Sequence, residues 1–485
     1  MNPQKTEGKM RILLLILTIA CWAHPVALQA AAKSPNIVFI LADDMGYGDL
    51  KAYNPGSKIA TPHLDRLAAG GMVFTDAHSG GSTCVLSRYS LITGRFAARR
   101  KQLNWRGGPV IARGRLTFAS VLRAQGYRTA MVGKWHQGFT MKSPGVFNYE
   151  QPLAGGPLDC GFDSFFGMPA SLDIPPYFYI RDRTPTMAPT ETVGNKNSVG
   201  GKEGWNRIQG AFWRAGKVGP DFKHAEVTPR FAAEALKVIE SHDGKKPLFL
   251  YLALPSPHTP WLPTKKFIGK SGAGMYGDFM MQVDHVVGQV LGGLKTAGMS
   301  DNTLVLFSSD NGPVWYDKDT ERFGHRSSGP LRGIKGSCWE GGHRVPFIAH
   351  WPGRIKAGAR SDHTIAFADV LATFANVAVG TTEAPSEEAE APAEDSVSFL
   401  QVLLHPDRKH PPRPPILHES KVIRDGDWKL IATKGGRGFD ADRKVKYGTE
   451  LYNLKDDLSE KNNLAEKMPE KVKNLQTRMY RVLNN

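Results

Sequence analysis

NIVFILADDMGYGD, residues 36–49, is the stretch that decides the fold class, because an uninterrupted apolar run ends abruptly in two aspartates. Similar apolar runs occupy residues 248–254 and 304–307, and polar or turn-forming residues follow each of them at once. Continuous apolar runs of this length are typical of strands buried on both faces of a sheet. Helical patterns lie between the runs, for example the one expected to start at Thr228-Pro229, with the threonine as cap. The alternation predicts an α/β fold with a large, mixed but mostly parallel sheet flanked by helices.

Oxygen-bearing side chains follow two of these strands. Asp43 and Asp44 close the first apolar run, and Asp310 and Asn311 follow the run at residues 304–307. In a parallel sheet, ligands bind beyond the carboxyl ends of the strands. Adjacent carboxylates repel each other unless water or a cation screens them. An all-oxygen set is typical of Ca²⁺, which takes about six to eight oxygen ligands, whereas zinc prefers nitrogen and sulfur. The four residues therefore predict one calcium site, although either pair alone is more typical of a turn or a helix cap.

A cysteine lies between these two acidic segments, at the start of the stretch CVLSRYSLITGR, residues 84–95. If a helix begins at Cys84, Arg88 lies one turn later on the same face, and the guanidinium and the helix dipole both attract anions. Removal of the first thirty-odd residues would leave Cys84, Cys160 and Cys338. This odd number means that at least one thiol stays unpaired in an oxidising compartment. We expect Cys84 to be that residue, in a modified form.

The stretch at residues 84–95 resembles the signature of the type I sulfatases, Cys-x-Pro/Ala-Ser-Arg followed by Leu-Thr-Gly-Arg. The match covers Cys84, Ser87, Arg88 and Thr93-Gly94-Arg95, whereas Leu86 stands where the family has proline or alanine. In that family the cysteine is oxidised to formylglycine. The resemblance implies that a formylglycine-generating enzyme acts on this chain and that the modified Cys84 is a further ligand of the calcium ion.

Other motifs of the same family follow in matching order from residue 36 to about residue 464. They include GKWHQG (133–138), SPHTP (256–260), LRGIKG (331–336) and EGGHRVP (340–346). The resemblance implies an alkaline-phosphatase-like fold with a smaller C-terminal domain made of an antiparallel sheet and a helix. It also implies a set of catalytic residues, namely Cys84, Arg88, Lys134, His136, His258 and Lys335. His285 and His325 have no clear motif position, and we interpret them as structural residues or as residues at the edge of the substrate site.

The resemblance further implies a mechanism. The aldehyde formed from Cys84 would hydrate to a geminal diol, which attacks sulfur and becomes a covalent sulfate ester. Lys134, Lys335 and His258 would hold the sulfate oxygens, and either His258 or Lys335 would protonate the leaving oxygen. Loss of the proton of the second hydroxyl to His136 would then restore the aldehyde and expel sulfate.

The order of segments predicts an exported protein with two folded domains. Basic residues precede an apolar run at residues 12–20, and small residues follow at 30–32, which indicates a signal peptide over residues 1–32. The apolar run is shorter than the roughly 20 residues that a membrane-spanning helix needs, so we expect no transmembrane anchor. We expect the catalytic domain at residues 33–380, a solvated acidic linker or loop at 381–396 and the small domain at 397–485. Periplasmic or secreted localisation follows, with acylation of Cys21 as a lipoprotein anchor as the alternative.

The formal net charge of +16 favours anionic partners. No nucleic-acid-binding motif accompanies the charge, so a sulfated carbohydrate is the expected substrate, with aryl sulfates as the alternative. Two other functions stay open from the sequence. The first is hydrolysis of a phosphate or phosphonate ester by the same superfamily, and the second is an inactive binder of sulfated glycans, which the departure at Leu86 would allow. The sequence does not predict the oligomeric state.

Overall fold

The protein is described here by a computed structural model that covers residues 34–100, 103–201, 203–380, 393–432 and 448–484. The predicted signal peptide, including Cys21, lies outside these ranges. Among the described residues, no helix is both long enough and apolar enough to cross a membrane.

The strands and helices alternate along most of the chain. In chain order the strands are β1 (Asn36–Asp43), β2 (Met72–Phe74), β3 (Ala77–His78), β4 (Arg128–Lys134), β5 (Ser164–Met168), β6 (Ile180–Arg181), β7 (Thr184–Pro185), β8 (Glu191–Val193), β9 (Gly216–Val218), β10 (Leu248–Pro257), β11 (Thr303–Ser309), β12 (Phe347–His350), β13 (Ala359–Ser361), β14 (Ile365–Ala366), β15 (Ile416–His418), β16 (Val422–Asp425), β17 (Trp428–Ile431) and β18 (Glu450–Asn453). The helices are α1 (Pro62–Gly70), α2 (Cys84–Thr93), α3 (Phe118–Ala124), α4 (Val227–Glu240), α5 (Gly274–Thr296), α6 (Asp317–Phe323), α7 (Glu340–His343), α8 (Asp369–Val379), α9 (Leu400–Leu404) and α10 (Pro469–Asn484).

A ten-stranded mixed sheet forms the centre of the molecule, in the order β13-β2-β12-β11-β1-β10-β4-β5-β6-β7. Five neighbouring strands of this sheet are parallel to one another, namely β11, β1, β10, β4 and β5. Strand β12 pairs with β11 in the antiparallel sense. The three apolar runs found in the sequence are β1, β10 and β11, side by side at the centre. The predicted fold class is thereby confirmed.

Strand β1 is buried on both faces because its alternate side chains enter two different cores. Phe39 and its odd-numbered neighbours pack with residues of α2, α3 and α8. Ile40 and its even-numbered neighbours pack with residues of α1, α4 and α5 on the opposite face. This double burial explains why the sequence of β1 is continuously apolar and contains no alternating polar residues.

A smaller antiparallel sheet, in the order β15-β16-β17-β18, follows in the C-terminal part of the chain. Leu475 of α10 packs into the core of this sheet. The short strands and the terminal amphipathic helix predicted from the sequence are therefore present. The exact domain boundaries stay a prediction.

Two local expectations differ from the structure. Helix α4 begins at Val227, before the predicted start, and Pro229 is its third residue, where a missing N–H costs no helical hydrogen bond. The Thr228 hydroxyl, expected to cap the helix, instead lies 3.3 Å from Ser256 Oγ.

The acidic linker predicted at residues 381–396 also differs from the structure at its C-terminal end. Residues 381–392 lie outside the described ranges, but Asp395 is 7% exposed and not solvated as expected. Its carboxylate accepts hydrogen bonds from the guanidinium of Arg99 at 2.7 Å and from the backbone N–H of Phe96 at 2.7 Å. This ion pair explains why an acidic residue is buried there.

Candidate active site

The predicted site residues lie at one edge of the large sheet, because four neighbouring parallel strands end there. Asp43 is the last residue of β1, and Lys134 is the last residue of β4. His258 follows the end of β10, and Asp310 follows the end of β11. The strands bring together residues that are far apart in the sequence, at the edge where ligands of parallel sheets bind.

The acidic residues of the site are in mutual contact. The backbone N–H of Asp44 donates to Asp310 Oδ1 at 3.1 Å, and Asn311 Nδ2 donates to Asp44 Oδ1 at 2.6 Å. Asp43, Asp44, Asp310 and Asn311 are all at most 2% exposed. Burial, and then the neighbouring charge of Asp43, raise the pKa of Asp310 to about 6. The carboxylates of this cluster therefore repel each other in a site from which water is excluded.

Each carboxylate of the cluster has a buried cation beside it. Arg88 Nη2 lies 2.8 Å from Asp310 Oδ2, and Lys134 Nζ donates to Asp43 Oδ2 at 2.5 Å. Lys335 Nζ donates to Asp44 Oδ1 at 2.6 Å. Burial opposes ionisation of Asp43, but Lys134 and then His258 and Arg88 hold its pKa well below the usual value. Three cations thus balance three carboxylates, so a bound divalent cation would leave the site positive and able to attract the anion of a sulfate ester.

Cys84 lies in the middle of these charges. It is the first residue of α2, as predicted, and its Sγ is 3.4 Å from Asp43 Oδ1 and 3.5 Å from Lys335 Nζ. Burial raises the pKa of the Cys84 thiol far above its usual value, and the charges of Asp310 and Asp43 raise it further. An unmodified thiol at this position is therefore protonated and a poor nucleophile.

Two histidines complete the set of predicted site residues. His258 Nδ1 lies 2.5 Å from the backbone oxygen of Thr259, so Nδ1 carries the proton, and Nε2 faces Asp44 Oδ2 at 3.6 Å. His136 is 5% exposed, and neither of its ring nitrogens has a hydrogen-bond partner in the protein. Burial, and then Lys134 and Arg88, hold the pKa of His136 well below its usual value. His136 is therefore neutral at neutral pH.

Two residues of the site have left-handed backbone conformations that non-glycine residues rarely adopt. Asp44 has φ of 64° and His136 has φ of 53°. Such conformations cost of order 1–3 kcal/mol and persist where the surrounding structure holds a functional side chain in place. Hydrogen bonds support the turn after Asp44, since the Asp49 carboxylate accepts from Gly46 N–H at 2.7 Å and from the Tyr276 hydroxyl.

The donor set fits a hard cation. The atoms of Asp43, Asp44, Cys84 and His258 that could bind a metal lie within 4.8 Å of one another. Asn311 Oδ1 is buried and has no hydrogen-bond partner in the protein, which leaves an amide oxygen available as a ligand. A cation bound here would satisfy that oxygen and relieve the repulsion among the carboxylates.

Several neighbours of the site carry no signal in the sequence. The ring of Trp105 contacts His136 edge-on, with ring centroids 4.8 Å apart. His325 Nε2 is 2.8 Å from Asp49 Oδ1. This contact makes His325 a structural residue that supports the turn after Asp44. His285 lies on α5, 3.3 Å from Lys266 Nζ.

Comparisons with known proteins agree with the motifs. The family model "Sulfatase" matches residues 35–381. An N-acetylgalactosamine-6-O-sulfatase of Bacteroides thetaiotaomicron is 33% identical over 483 residues, covering 92% of this chain and 92% of that protein. Arylsulfatase A of Bos taurus is 37% identical over 376 residues, covering 74% of this chain and 68% of that protein.

A solved structure supports the same assignment. It comes from work on the metabolism of multiple glycosaminoglycans by Bacteroides thetaiotaomicron, and it superimposes with a TM-score of 0.79 at 30% identity. The superposition covers 94% of this chain and 100% of the other chain. With the family model and the curated relatives, this likeness shows that the chain belongs to the sulfatase family and is a sulfuric ester hydrolase.

Proposed function

We propose that the protein hydrolyses sulfate esters of a sulfated carbohydrate, through a formylglycine formed from Cys84 and with one calcium ion at the acidic cluster. The observation that carries the proposal is the convergence of Asp43 and Lys335 on Cys84 Sγ within 3.5 Å. The names of the bacterial relative and of the glycosaminoglycan study support a carbohydrate substrate. The net charge of +16 is consistent with a polyanionic one.

The cations beside Cys84 would bind the sulfate group. Lys134 and Lys335 lie next to the nucleophile position, and the guanidinium of Arg88 is completely buried. In a site without bulk water, such fixed charges stabilise the negative charge that develops on the sulfate oxygens. The start of α2 at Cys84 adds the positive end of a helix dipole.

His258 is the better proton donor for the leaving oxygen. Although burial opposes it, Asp44 and then Cys84 raise the pKa of Lys335 above its usual value, so Lys335 holds its proton. A general acid must give up its proton at the working pH, which a lysine held so firmly protonated does poorly. Of the two donors that the sequence left open, we therefore propose His258.

His136 would accept the proton that releases sulfate. After the diol oxygen attacks sulfur and the alcohol leaves, the remaining hydroxyl of the diol loses its proton and the C–O bond to sulfate breaks, which restores the aldehyde. The neutral His136 ring, with both nitrogens unpartnered, supports its role as the base. No water needs to attack sulfur in this sequence of steps.

The pH dependence tests the role of His136. Because its pKa lies well below 6.5, the neutral, proton-accepting form persists from pH 8 down to 6.5. We expect kcat for sulfate release to show no acid limb within this range and to fall on the acid side only at lower pH. Rates measured at saturating substrate check this, with His136→Asn as the comparison. An acid limb centred at or above pH 6.5 in the wild type would contradict the assignment.

A calcium ion at the acidic cluster would supply positive charge that favours ionisation of the nucleophile. Its proposed ligands are Asp43, Asp44, Asp310, Asn311 and the modified Cys84. We expect a chelator to lower sulfate release by about 100-fold or more, corresponding to several kcal/mol of lost transition-state stabilisation. Added Ca²⁺ should restore the rate, and chelator saturated with Ca²⁺ is the control. Full activity in thoroughly chelated protein would argue against the ion.

Mass spectrometry of the peptide that contains Cys84 tests the modification. We expect formylglycine in protein made by a host with a formylglycine-generating enzyme, and unmodified cysteine in protein made without it. Leu86 is the third residue of α2 and packs partly buried against the core, so its side chain has a structural role that proline would not fill in the same way. If protein from the host that has the formylglycine-generating enzyme contained only unmodified cysteine, the alternative function as an inactive binder of sulfated glycans would be favoured.

Paired substrates separate the sulfatase from the related phosphate ester hydrolases. Steady-state rates on an aryl sulfate and on the matching aryl phosphate should favour the sulfate, and defined sulfated saccharides should release inorganic sulfate. A preference for the phosphate would favour the other activity. Export to the periplasm or the medium is part of the proposal and rests on the signal-peptide pattern in the sequence of residues 1–32.

A further inference from the structure

Three buried histidines meet at a place that the proposed reaction does not use. His78 ends β3, His343 ends α7 and His418 ends β15. Each is at most 1% exposed, and one ring nitrogen from each lies within 4.8 Å of the others. The three residues come from distant parts of the chain, and none of them contacts Cys84 in the hydrogen bonds described above.

The hydrogen bonds of His78 and His343 point their outer nitrogens away from the cluster centre. His78 Nε2 lies 2.9 Å from Asp76 Oδ1, and His343 Nε2 lies 3.2 Å from the backbone oxygen of Cys338. Both partners are acceptors, and we assign the protons to both Nε2 atoms on that basis. The two Nδ1 atoms, 3.2 Å apart, then present lone pairs to each other. Such an arrangement is repulsive unless a cation lies between them.

The opposite tautomer of His78 fits the surroundings less well. It would place an unprotonated nitrogen 2.9 Å from the Asp76 carboxylate. The guanidinium of Arg424, which lies 2.7 Å from the same nitrogen, already donates to Asp76 Oδ1 at 2.6 Å. Lys429, near His343 Nε2, likewise donates to Glu340 at 3.0 Å. Each of these cations thus has a carboxylate acceptor next to the imidazole nitrogen.

His418 supplies an independent observation. Neither of its ring nitrogens has a hydrogen-bond partner in the protein. Its ring stacks on His343 with centroids 3.9 Å apart, and a cation shared with His343 would require the ring to turn out of this stack. Buried polar groups without a partner are rare and call for an explanation. Burial holds the pKa of all three imidazoles below the usual value, so they are neutral and able to act as ligands.

We propose that His78, His343 and His418 bind one divalent transition-metal ion of the zinc class, at a structural site separate from the calcium site. Zn–N bonds of about 2.0–2.1 Å at tetrahedral angles place two ligand nitrogens roughly 3.3–3.4 Å apart, close to the Nδ1 separation in this cluster. The outward contacts to Asp76 and to the Cys338 carbonyl are the kind of hydrogen bonds that orient metal-bound histidines. A water molecule would occupy the fourth position.

Charges around the histidines permit such an ion. Three carboxylates and three cations surround the histidines, namely Asp76, Glu340, Glu460, Arg344, Arg424 and Lys429. Burial raises the pKa of Glu460 to about 7, so the formal charge of this set is zero once Glu460 is ionised. Two residues at the site also have left-handed backbones, namely Glu419 with φ of 56° and Glu460 with φ of 50°. The chain accepts strain next to His418 much as it does at the catalytic residues Asp44 and His136.

The ion would join parts of the fold that are far apart in sequence. His78 precedes the segment that leads into Cys84, His343 belongs to the segment after Lys335, and His418 belongs to the small C-terminal sheet. A bound ion would therefore fasten this sheet to the loops that position the nucleophile, and it would stabilise the folded state over the unfolded state.

Zinc binding to the full-length protein tests the proposal. The protein is first stripped of metal with a chelator and then returned to excess Ca²⁺, which occupies the oxygen site. It is then titrated with Zn²⁺ in competition with a chromophoric chelator. We expect one Zn²⁺ per chain and a higher Tm. His418→Gln should weaken zinc binding on the order of 100-fold or more and abolish the Tm rise. His405→Gln, a change at a partly exposed histidine outside the cluster, should bind as the wild type does.

Anomalous diffraction at the zinc edge on wild-type crystals gives a second readout that needs no variant to fold. A peak between His78, His343 and His418 is expected, and Co²⁺ in its place should give the absorption bands of a tetrahedral nitrogen site. The proposal is overturned by the absence of bound zinc in the calcium-saturated protein, by a peak elsewhere, or by equal zinc affinity in His418→Gln.

Discussion

Cys84→Ser should abolish sustained sulfate release, lowering multiple-turnover kcat roughly 10⁴-fold or more, as expected when a nucleophile is lost. Serine cannot become formylglycine and has one hydroxyl, so it could accept sulfate from the ester but could not expel it by collapse to an aldehyde. The cations around position 84 would be unchanged, so sulfate esters should still bind. Single-turnover experiments should therefore show at most one equivalent of alcohol released per chain, without inorganic sulfate.

Cys160→Ser is the matched control for this substitution. Cys160 is also a buried, unpaired cysteine, but it lies at the end of a short turn that ends before β5. We expect Cys160→Ser to change stability and to leave turnover per folded chain close to that of the wild type. Repeated turnover by Cys84→Ser, or a loss of the same size in Cys160→Ser, would remove Cys84 from the centre of the mechanism.

The sequence predicted that the oxygen-bearing residues would lie together, because parallel strands have a simple geometry. Once the apolar runs before Asp43 and before Asp310 were taken as neighbouring parallel strands, their ends had to meet at one edge of the sheet. His258 and Lys134 follow the same rule, since each lies at the end of a further strand of the series. Lys335 lies on a loop, and only its family motif indicated that it belongs to the site.

Other features had no signal of this kind. The histidine cluster combines the ends of three short elements whose pairing depends on how the small sheet packs, and no periodic pattern in the sequence carries that information. The burial of Asp395 depends on Arg99, almost 300 residues earlier in the chain. The composition of the acidic segment, which indicated a solvated linker, does not reveal such a partner. The contact of Trp105 with His136 is equally a product of tertiary packing.

Lys335→Met should lower kcat on the order of 10³-fold, because it removes a buried charge that would face the developing charge on sulfate. Methionine keeps much of the side-chain length and cannot donate to the sulfate. Lys335 is charged throughout the working pH range, since Asp44 and Cys84 raise its pKa. The loss should therefore be nearly constant from pH 6.5 to pH 8. Lys356→Met is the matched control, since Lys356 is exposed and pairs with Asp407 on the surface.

A series of aryl sulfates with increasingly good leaving groups separates the role of Lys335 from that of His258. A general acid matters less as the leaving group improves, because a stable phenolate needs no proton. The defect of His258→Gln should therefore shrink along the series. The defect of Lys335→Met should persist, because charge on the sulfate oxygens must be stabilised whichever alcohol departs. If the Lys335→Met defect vanished with the best leaving group, Lys335 would be the proton donor, and the assignment to His258 would be wrong.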